Sequence, residues 1–167
     1  MKEKNYNYFE KLIHKIILKN NFIIKNFFNL EKLLFLDKKI IPKAIFITGL
    51  PRSGSTSLLN SFFESSKFGS LTYEDMPFIL SPNLWNKVNI FSKKEKKYFE
   101  RYHQDGIFFN SKSPEAFEEV FWMNLLDKIY IKDKILNYHN VDDDALDEFK
   151  KFMQIVIKSK KSEFYLS

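Results

Sequence analysis

Between Thr48 and Ser57 the chain reads Thr-Gly-Leu-Pro-Arg-Ser-Gly-Ser-Thr-Ser. Gly49 and Gly54 stand five residues apart, hydroxyls follow at Ser53, Ser55, Thr56 and Ser57, and Arg52 lies between the glycines. These groups suit the binding of an oxyanion. Successive backbone N–H groups and a helix N-terminus can converge on negative charge. Gly54 lets the backbone come close and adopt a positive φ. Hydroxyls add donors, and the planar guanidinium of Arg52 can grip an oxyanion through two bonds. The spacing is that of the phosphate-binding loop G-x-x-x-x-G-K-[ST], with Thr56 at the hydroxyl position. Ser55 replaces the lysine, and the cation has moved into the loop as Arg52. The competing account is a serine-rich strand-to-helix turn with an ordinary N-cap. Both glycines, the arginine, the hydroxyl run and the flanking elements agree on the anion loop instead.

Such a loop needs a strand to aim it and a helix behind it. Ala44-Ile45-Phe46-Ile47-Thr48 is short, apolar and bounded by Pro42 and Gly49, which predicts a parallel strand buried on both faces and central in its sheet. Thr56 to Phe63 predicts the helix. Upstream, Phe9, Leu12, Ile13, Ile16 and Ile17 form one apolar stripe; Asn20-Asn21 breaks it, and a second runs through Ile23, Phe27, Leu30, Leu33 and Leu34. Residues 1–41 are therefore expected to be an N-terminal helical segment. Leu71 to Val88, with Pro77 and Pro82, reads as loop with short helical pieces. Ser92 and Glu95 have capping-box spacing and predict a helix through His103. Ser113-Pro114-Glu115 predicts another helix start. A last helix is expected from Asp142–Asp144 to Lys158–Lys161, with acid at its front and base at its end. Glu163 to Ser167 reads as the beginning of a strand.

Composition narrows the chemistry. The chain has 167 residues, 44% hydrophobic and 29% charged, enough apolar material for a core. There is no Cys, which excludes disulfides and thiolate metal sites. His14, His103 and His139 are too far apart for a helical metal pair, so no metal is expected. No apolar run reaches the length of a bilayer span, and no signal-peptide pattern opens the chain, so a cytoplasmic protein without a transmembrane segment is expected. Of 27 basic residues only Arg52 and Arg101 are Arg. The net charge of +6 therefore reads as a lysine-rich coding bias, and no nucleic-acid partner is expected.

Gly49-Leu50-Pro51-Arg52-Ser53-Gly54-Ser55-Thr56-Ser57-Leu58-Leu59 resembles the 5′-phosphosulfate-binding loop of the sulfotransferase family. Tyr73 to Phe78 and Ser113 to Trp122 are similar to stretches of bacterial members. The likeness spans roughly residues 44 to 125. It implies an α/β, P-loop-like three-layer fold, α-rich, with one strand evident in this sequence. It implies 3′-phosphoadenosine 5′-phosphosulfate as co-substrate, held by Arg52, Ser53, Gly54, Ser55, Thr56 and Ser57, and no metal. The acceptor would be a hydroxyl or amine, with carbohydrate the class that similar bacterial proteins often modify. The family's second site, for the 3′-phosphate, normally follows a strand for which Phe164 to Ser167 would be the opening. Residues 42–167 are thus expected to be the N-terminal part of the domain, incomplete at the C-terminus, inactive alone and completed by a C-terminal segment or second chain.

Sulfuryl transfer is chiefly positioning and charge stabilisation. Arg52 would steady the leaving phosphate, and an acceptor hydroxyl needs a general base. Glu74 is the first choice, then Asp75 and His103; each competes with a solvated surface role. Two other readings stand beside this one: a nucleotide kinase or NTPase with a degenerate P-loop, against which the missing lysine and the lack of an obvious Mg²⁺ carboxylate argue, and a non-catalytic remnant.

Overall fold

The computed structural model describes residues 20–37, 39–50, 52–89, 99–100, 108–125, 131–132, 135–136 and 140–167. Helix α1 is Asn21–Phe35; its start is fixed by Asn20, whose side-chain oxygen accepts from the N–H groups of Phe22 and Ile23 at 3.1 and 3.3 Å. The Asn pair thus acts as the expected break. Strand β1 is Ala44–Ile45, helix α2 Ser55–Glu64 and strand β2 Phe68–Gly69. A 3-10 turn, Tyr73–Asp75, leads to helix α3, Pro82–Asn89. Strands β3, Phe99–Glu100, and β4, Phe108–Phe109, pair antiparallel. Helix α4 is Glu118–Leu125; β5, Ile131–Lys132, and β6, Ile135–Leu136, form a second small antiparallel pair. Helix α5, Asp143–Lys160, and strand β7, Phe164–Leu166, complete the order.

The main sheet is parallel, three-stranded and ordered β1-β7-β2. Tyr165 lies opposite Ala44 on one side and Gly69 on the other. The ladder reaches beyond the short strands: the N–H of Tyr165 donates to the Lys43 carbonyl at 2.8 Å, that of Ser167 to Ile45 at 3.1 Å, and that of Ile47 to Ser167 at 2.7 Å. Side chains alternate across a strand, and the aromatic contacts show what covers each face. Phe62 of α2 meets Phe68 of β2, which meets Phe164 of β7, at centroid separations of 5.2 and 5.3 Å. On the other face Tyr165 meets Phe149 and Phe152 of α5 at 6.3 and 6.2 Å. Helix, sheet and helix therefore stack as three layers.

Several expectations need correction. Three parallel strands are present where one was evident. The strand at Ala44 is an edge of the sheet, with β7 in the middle, because the chain's last residues insert between β1 and β2. It is not buried on both faces: Ala44 is exposed, Ile45 half-buried, and Phe46 retains 47% of its surface. The helix proposed through His103 fails at Phe99–Glu100, which is extended. Phe99 lies opposite Phe109 in the ladder, an aromatic cross-strand pair that a helix would not form. Ser113-Pro114-Glu115 does not start a helix either. Pro114 bridges to Thr72, the Glu115 N–H donates to the Leu71 carbonyl at 3.0 Å, and α4 begins only at Glu118. In α1 the packed stripe is Ile24, Phe28 and Glu31, whereas Leu33 on the expected stripe is 81% exposed. The helix is apolar nearly all round, and the core takes the side that carries Phe28. The last helix begins and ends as expected, capped by Asp142 and closed by Lys161 in the left-handed region.

The core is aromatic. Phe121 of α4 is fully buried and touches Phe28 of α1 and Phe149 and Phe152 of α5 at 5.9, 5.1 and 5.1 Å. One buried carboxylate is part of this packing. Glu31 accepts from the Asn83 N–H and side-chain amide at 2.7 and 2.8 Å and from the Leu84 N–H at 3.0 Å, so it caps α3 from outside that helix. Burial raises its pKa above the ordinary 4.5, opposed by those hydrogen bonds. A carboxyl shifted this way contributes stability that is fully present below the unfolded pKa and lost as pH rises through the folded one. Glu31→Ala is expected to cost about 2 kcal/mol by orphaning the α3 N–H groups. In urea unfolding from pH 4 to 7, the gap from wild type should be widest at the acid end and narrow as pH rises. A gap that widens toward pH 7 would contradict this account.

Candidate functional site

Because β1, β7 and β2 are parallel, their carboxyl ends lie on one edge of the sheet, the edge where open α/β sheets bind ligands. Each strand delivers something there. β1 runs into the loop Gly49–Gly54, β7 ends at Ser167, and β2 continues through Ser70 and Leu71 to the 3-10 turn that carries Glu74.

The loop is tightly drawn. The Ser53 N–H donates to the Leu50 carbonyl at 3.1 Å, closing a four-residue turn in which Arg52 is third. Arg52 has φ +65° and Gly54 φ +85°. A left-handed conformation costs a side-chain-bearing residue about 1–2 kcal/mol. The other non-glycine residues with positive φ, Ser66 and Lys161, sit just past the ends of α2 and α5, where such a conformation is common. Arg52 has no such excuse. The loop also closes on Gly49, where a Cβ would stand 2.5 Å from Ser53 Oγ. Arg52, Ser53, Gly54 and Ser57 are exposed, while Ser55 and Thr56 are half-buried at the start of α2. Among the described residues no carboxylate pairs with the Arg52 guanidinium.

The start of α2 differs from those of α1, α3 and α5. α1 is capped by Asn20, α5 by Asp142 through the Ala145 N–H at 2.7 Å, and α3 by Glu31. The 3-10 turn is closed by Asp75, whose Oδ2 accepts from the Thr72 N–H and hydroxyl at 2.7 and 3.0 Å. At α2 the N-cap is Gly54, which has no side chain to cap with. The N–H groups of Ser55 and Ser57, at the positive end of the helix dipole, lie beside Ser53 and Arg52.

Of the proposed bases, Glu74 is half-buried and firmly placed. Its Oε1 accepts from Ser111 Oγ at 2.8 Å, its N–H donates to the Ser111 carbonyl at 2.8 Å, and its carbonyl accepts from Trp85 Nε1 at 2.7 Å. β1 and β2 flank β7 two strand spacings apart, roughly 10 Å, and the loop and the segment that carries Glu74 leave them at the same edge. Asp75 is fully buried and bound to Lys160 Nζ at 2.6 Å as well as to Thr72, which makes it a fixture of the fold and not a base for an acceptor. His103 lies outside the described residues. Trp85 and Trp122 pack on aromatic neighbours, Trp85 stacked on Phe78 at 5.0 Å and Trp122 against Phe149 at 4.7 Å. Ser111, Lys160, Glu118 and Ser167 were not anticipated. Their partners are 37 to 85 residues away in sequence, and no local pattern announces them.

No family model, curated protein or solved structure matches the chain. Among the described residues no helix is long and apolar enough to cross a membrane, and no group of His, Asp and Glu is arranged for a metal ion.

Strain at Arg52 gives a direct test of the loop. Arg52→Gly relaxes the φ of +65° and is expected to raise unfolding free energy by about 1 kcal/mol. The same change removes the guanidinium and should weaken sulfate binding. Loss of stability in urea denaturation would mean that the Arg52 side chain holds the loop together for structural reasons.

Proposed function

We propose that the Gly49–Gly54 loop binds the phosphosulfate end of 3′-phosphoadenosine 5′-phosphosulfate, and that the chain is a sulfotransferase transferring a sulfuryl group to an acceptor hydroxyl or amine. The observation that carries this is the start of α2, whose N-cap is a glycine while α1, α3 and α5 are capped by carboxylate or amide groups, with Arg52 held in a strained backbone beside it. An anion is the missing cap. The P-loop-like sulfotransferase fold is part of this proposal; the three-layer stack and the loop at the carboxyl end of a parallel strand support it.

In this reading Ser53 and the N–H groups of Ser55, Thr56 and Ser57 hold the phosphate, and Arg52 neutralises charge as it develops on the leaving oxygen. Glu74 stands at the same edge as the acceptor-side carboxylate, oriented by Ser111. Bringing donor and acceptor to one sheet edge supplies the alignment that in-line transfer needs. A carbohydrate acceptor rests on the family likeness alone. Cytoplasmic location, the absence of a nucleic-acid partner, and completion of the donor's 3′-phosphate site by a further segment belong to the same proposal.

Arg52→Ala is expected to weaken adenosine 5′-phosphosulfate binding about 10- to 100-fold, the worth of charge-assisted hydrogen bonds. Arg101→Ala should leave it unchanged. Arg52→Lys should fall between, because lysine keeps the charge and loses the fork. Calorimetry with the three variants decides. Equal losses from the two alanine variants would falsify the site, and Mg²⁺-dependent ATP turnover would favour the kinase or NTPase reading.

A further inference from the structure

The net charge of +6 is not spread along the chain. Residues 1–43 carry ten Lys against four Asp and Glu, whereas residues 44–167 carry 17 basic and 17 acidic side chains. A coding bias alone would enrich lysine evenly and would not leave the larger part of the sequence neutral. The whole excess of positive charge belongs to the stretch that contains α1.

α1 also departs from the usual pattern of a helix at a protein surface. Ile24, Phe28 and Glu31 form its buried side. At about 100° per residue, Phe22, Leu33, Leu30, Leu34 and Phe27 follow one another around an arc of roughly 140° away from that side. All five are exposed, Phe22 to 75% and Leu33 to 81%. The other exposed positions of α1 are Asn21, Asn26 and Asn29, so this outward face carries no charge. Lys25 and Lys32 border it, half-buried. A helix that faces water carries charge on its outer side, as α5 does with Asp143, Asp144, Asp147 and Lys150. Just beyond α1, Ile41 is exposed between the exposed Lys39 and Lys43.

Area and charge together select what covers this face. Fifteen residues make α1 about 22 Å long, and a helix face about 10 Å wide then offers roughly 200–250 Å². A stable protein interface takes about 800 Å² from each partner. A second copy fits poorly for another reason: a two-fold contact sets the same patch of both chains together, and here the lysine-rich stretch would meet itself. A lipid surface with anionic headgroups suits both features. The acyl boundary takes up apolar side chains, and the headgroups attract lysine.

We propose that the outward face of α1 rests on an anionic lipid surface, with Phe22, Leu33 and Leu34 entering the boundary between headgroups and acyl chains and the lysine excess of residues 1–43 supplying the attraction. The association is peripheral: α1 has 15 residues, short of the roughly 20 that span a bilayer. It agrees with the proposed cytoplasmic location, because the cytoplasmic leaflet carries the negative surface potential.

The test is cosedimentation of the full chain with vesicles of phosphatidylcholine alone or of phosphatidylcholine mixed with phosphatidylglycerol. Wild type is expected to bind the mixed vesicles at least about 10-fold more tightly than the neutral ones, and to lose most of that preference in about 0.5 M NaCl. The double variant Phe22→Gln, Leu33→Gln keeps the charge and should weaken binding to mixed vesicles about 10-fold. Both side chains are exposed, so its urea midpoint should match wild type. Leu58→Gln, at an exposed position of α2 across the sheet from α5, should leave vesicle binding unchanged. Lys39→Glu with Lys43→Glu reverses two exposed charges and should cost about 20-fold or more, at roughly fivefold for each lysine near such a surface; it keeps the test open should the glutamine pair not fold. No binding of wild type to mixed vesicles would overturn the proposal. So would unchanged binding by the folded glutamine pair, which would reduce the association to unspecific charge. A wild-type dimer in sedimentation velocity that the glutamine pair converts to monomer would assign the face to a second copy instead.

Discussion

β1 and β2 do not touch. Each pairs with β7, so the strand that aims the loop and the strand that leads to Glu74 are held in register only through Phe164–Leu166. That constraint governs the rest of the molecule. A parallel pair cannot be closed by a hairpin; it needs a crossover, and here the crossover into β7 runs through α5. The hydrogen bonds that fix β1 are therefore made by residues more than a hundred positions away, after the chain has laid down α3, α4 and α5. Loop closure of this length costs entropy before any ladder bond forms. The return comes from what α5 buries as it crosses: Phe149, Phe152, Ile155 and Val156 on one side of the sheet.

Polar groups inside the fold are handled in one consistent way. Glu31 and Asp75 are both fully buried, and both are spent on backbone N–H groups at the start of a short helix or turn. Directed N–H donors offset part of the desolvation that makes a buried carboxylate costly. Lys160 adds an ion pair to Asp75, linking the end of α5 to the turn that carries Glu74. Lys32 and Glu148 link α1 to α5; there the hydrogen bonds of Lys151 and Lys32 outweigh burial and hold the Glu148 carboxyl below its ordinary range. The acidic and basic side chains thus set how the helices sit on the sheet, while the aromatic core supplies the attraction.

What the sequence discloses is what neighbouring residues decide. Asn20-Asn21 as a break, acid at the start and lysine at the end of the last helix, and the helix after the Gly54 loop all depend on contacts within four residues, and all are legible. The misread elements were decided at a distance. Ser113-Pro114-Glu115 has the composition of a helix start, but Thr72 and Leu71 claim that stretch for bridge pairing. Ala44–Thr48 has the apolar run of a buried central strand, yet strand order is set by where β7 inserts. Within α1, two apolar stripes were available, and only packing against Phe121 and Phe152 selects the one with Phe28. At the site the same division holds. The Gly-bounded turn before α2, a contiguous stretch, could be read; the Ser111 hydroxyl that holds Glu74 could not.

The loop's polarity makes sense only against that background. Among the described residues almost every buried side-chain polar atom has a partner, yet α2 starts at a glycine that cannot cap it, next to Arg52, a charged residue held at positive φ away from any helix C-terminus. Either feature alone has an ordinary explanation. Glycine N-caps occur, and isolated residues with positive φ are tolerated in turns. Together they set backbone donors and the Arg52 guanidinium at the carboxyl edge of a parallel sheet, where the chain leaving β2 also places Glu74, held by the Ser111 hydroxyl. Arg52 follows β1 and Glu74 follows β2, with β7 between them, so the two charges leave the sheet two strands apart and do not pair. On the proposed reading, that gap is the place of a donor whose anionic end lies at the loop and of an acceptor held at Glu74.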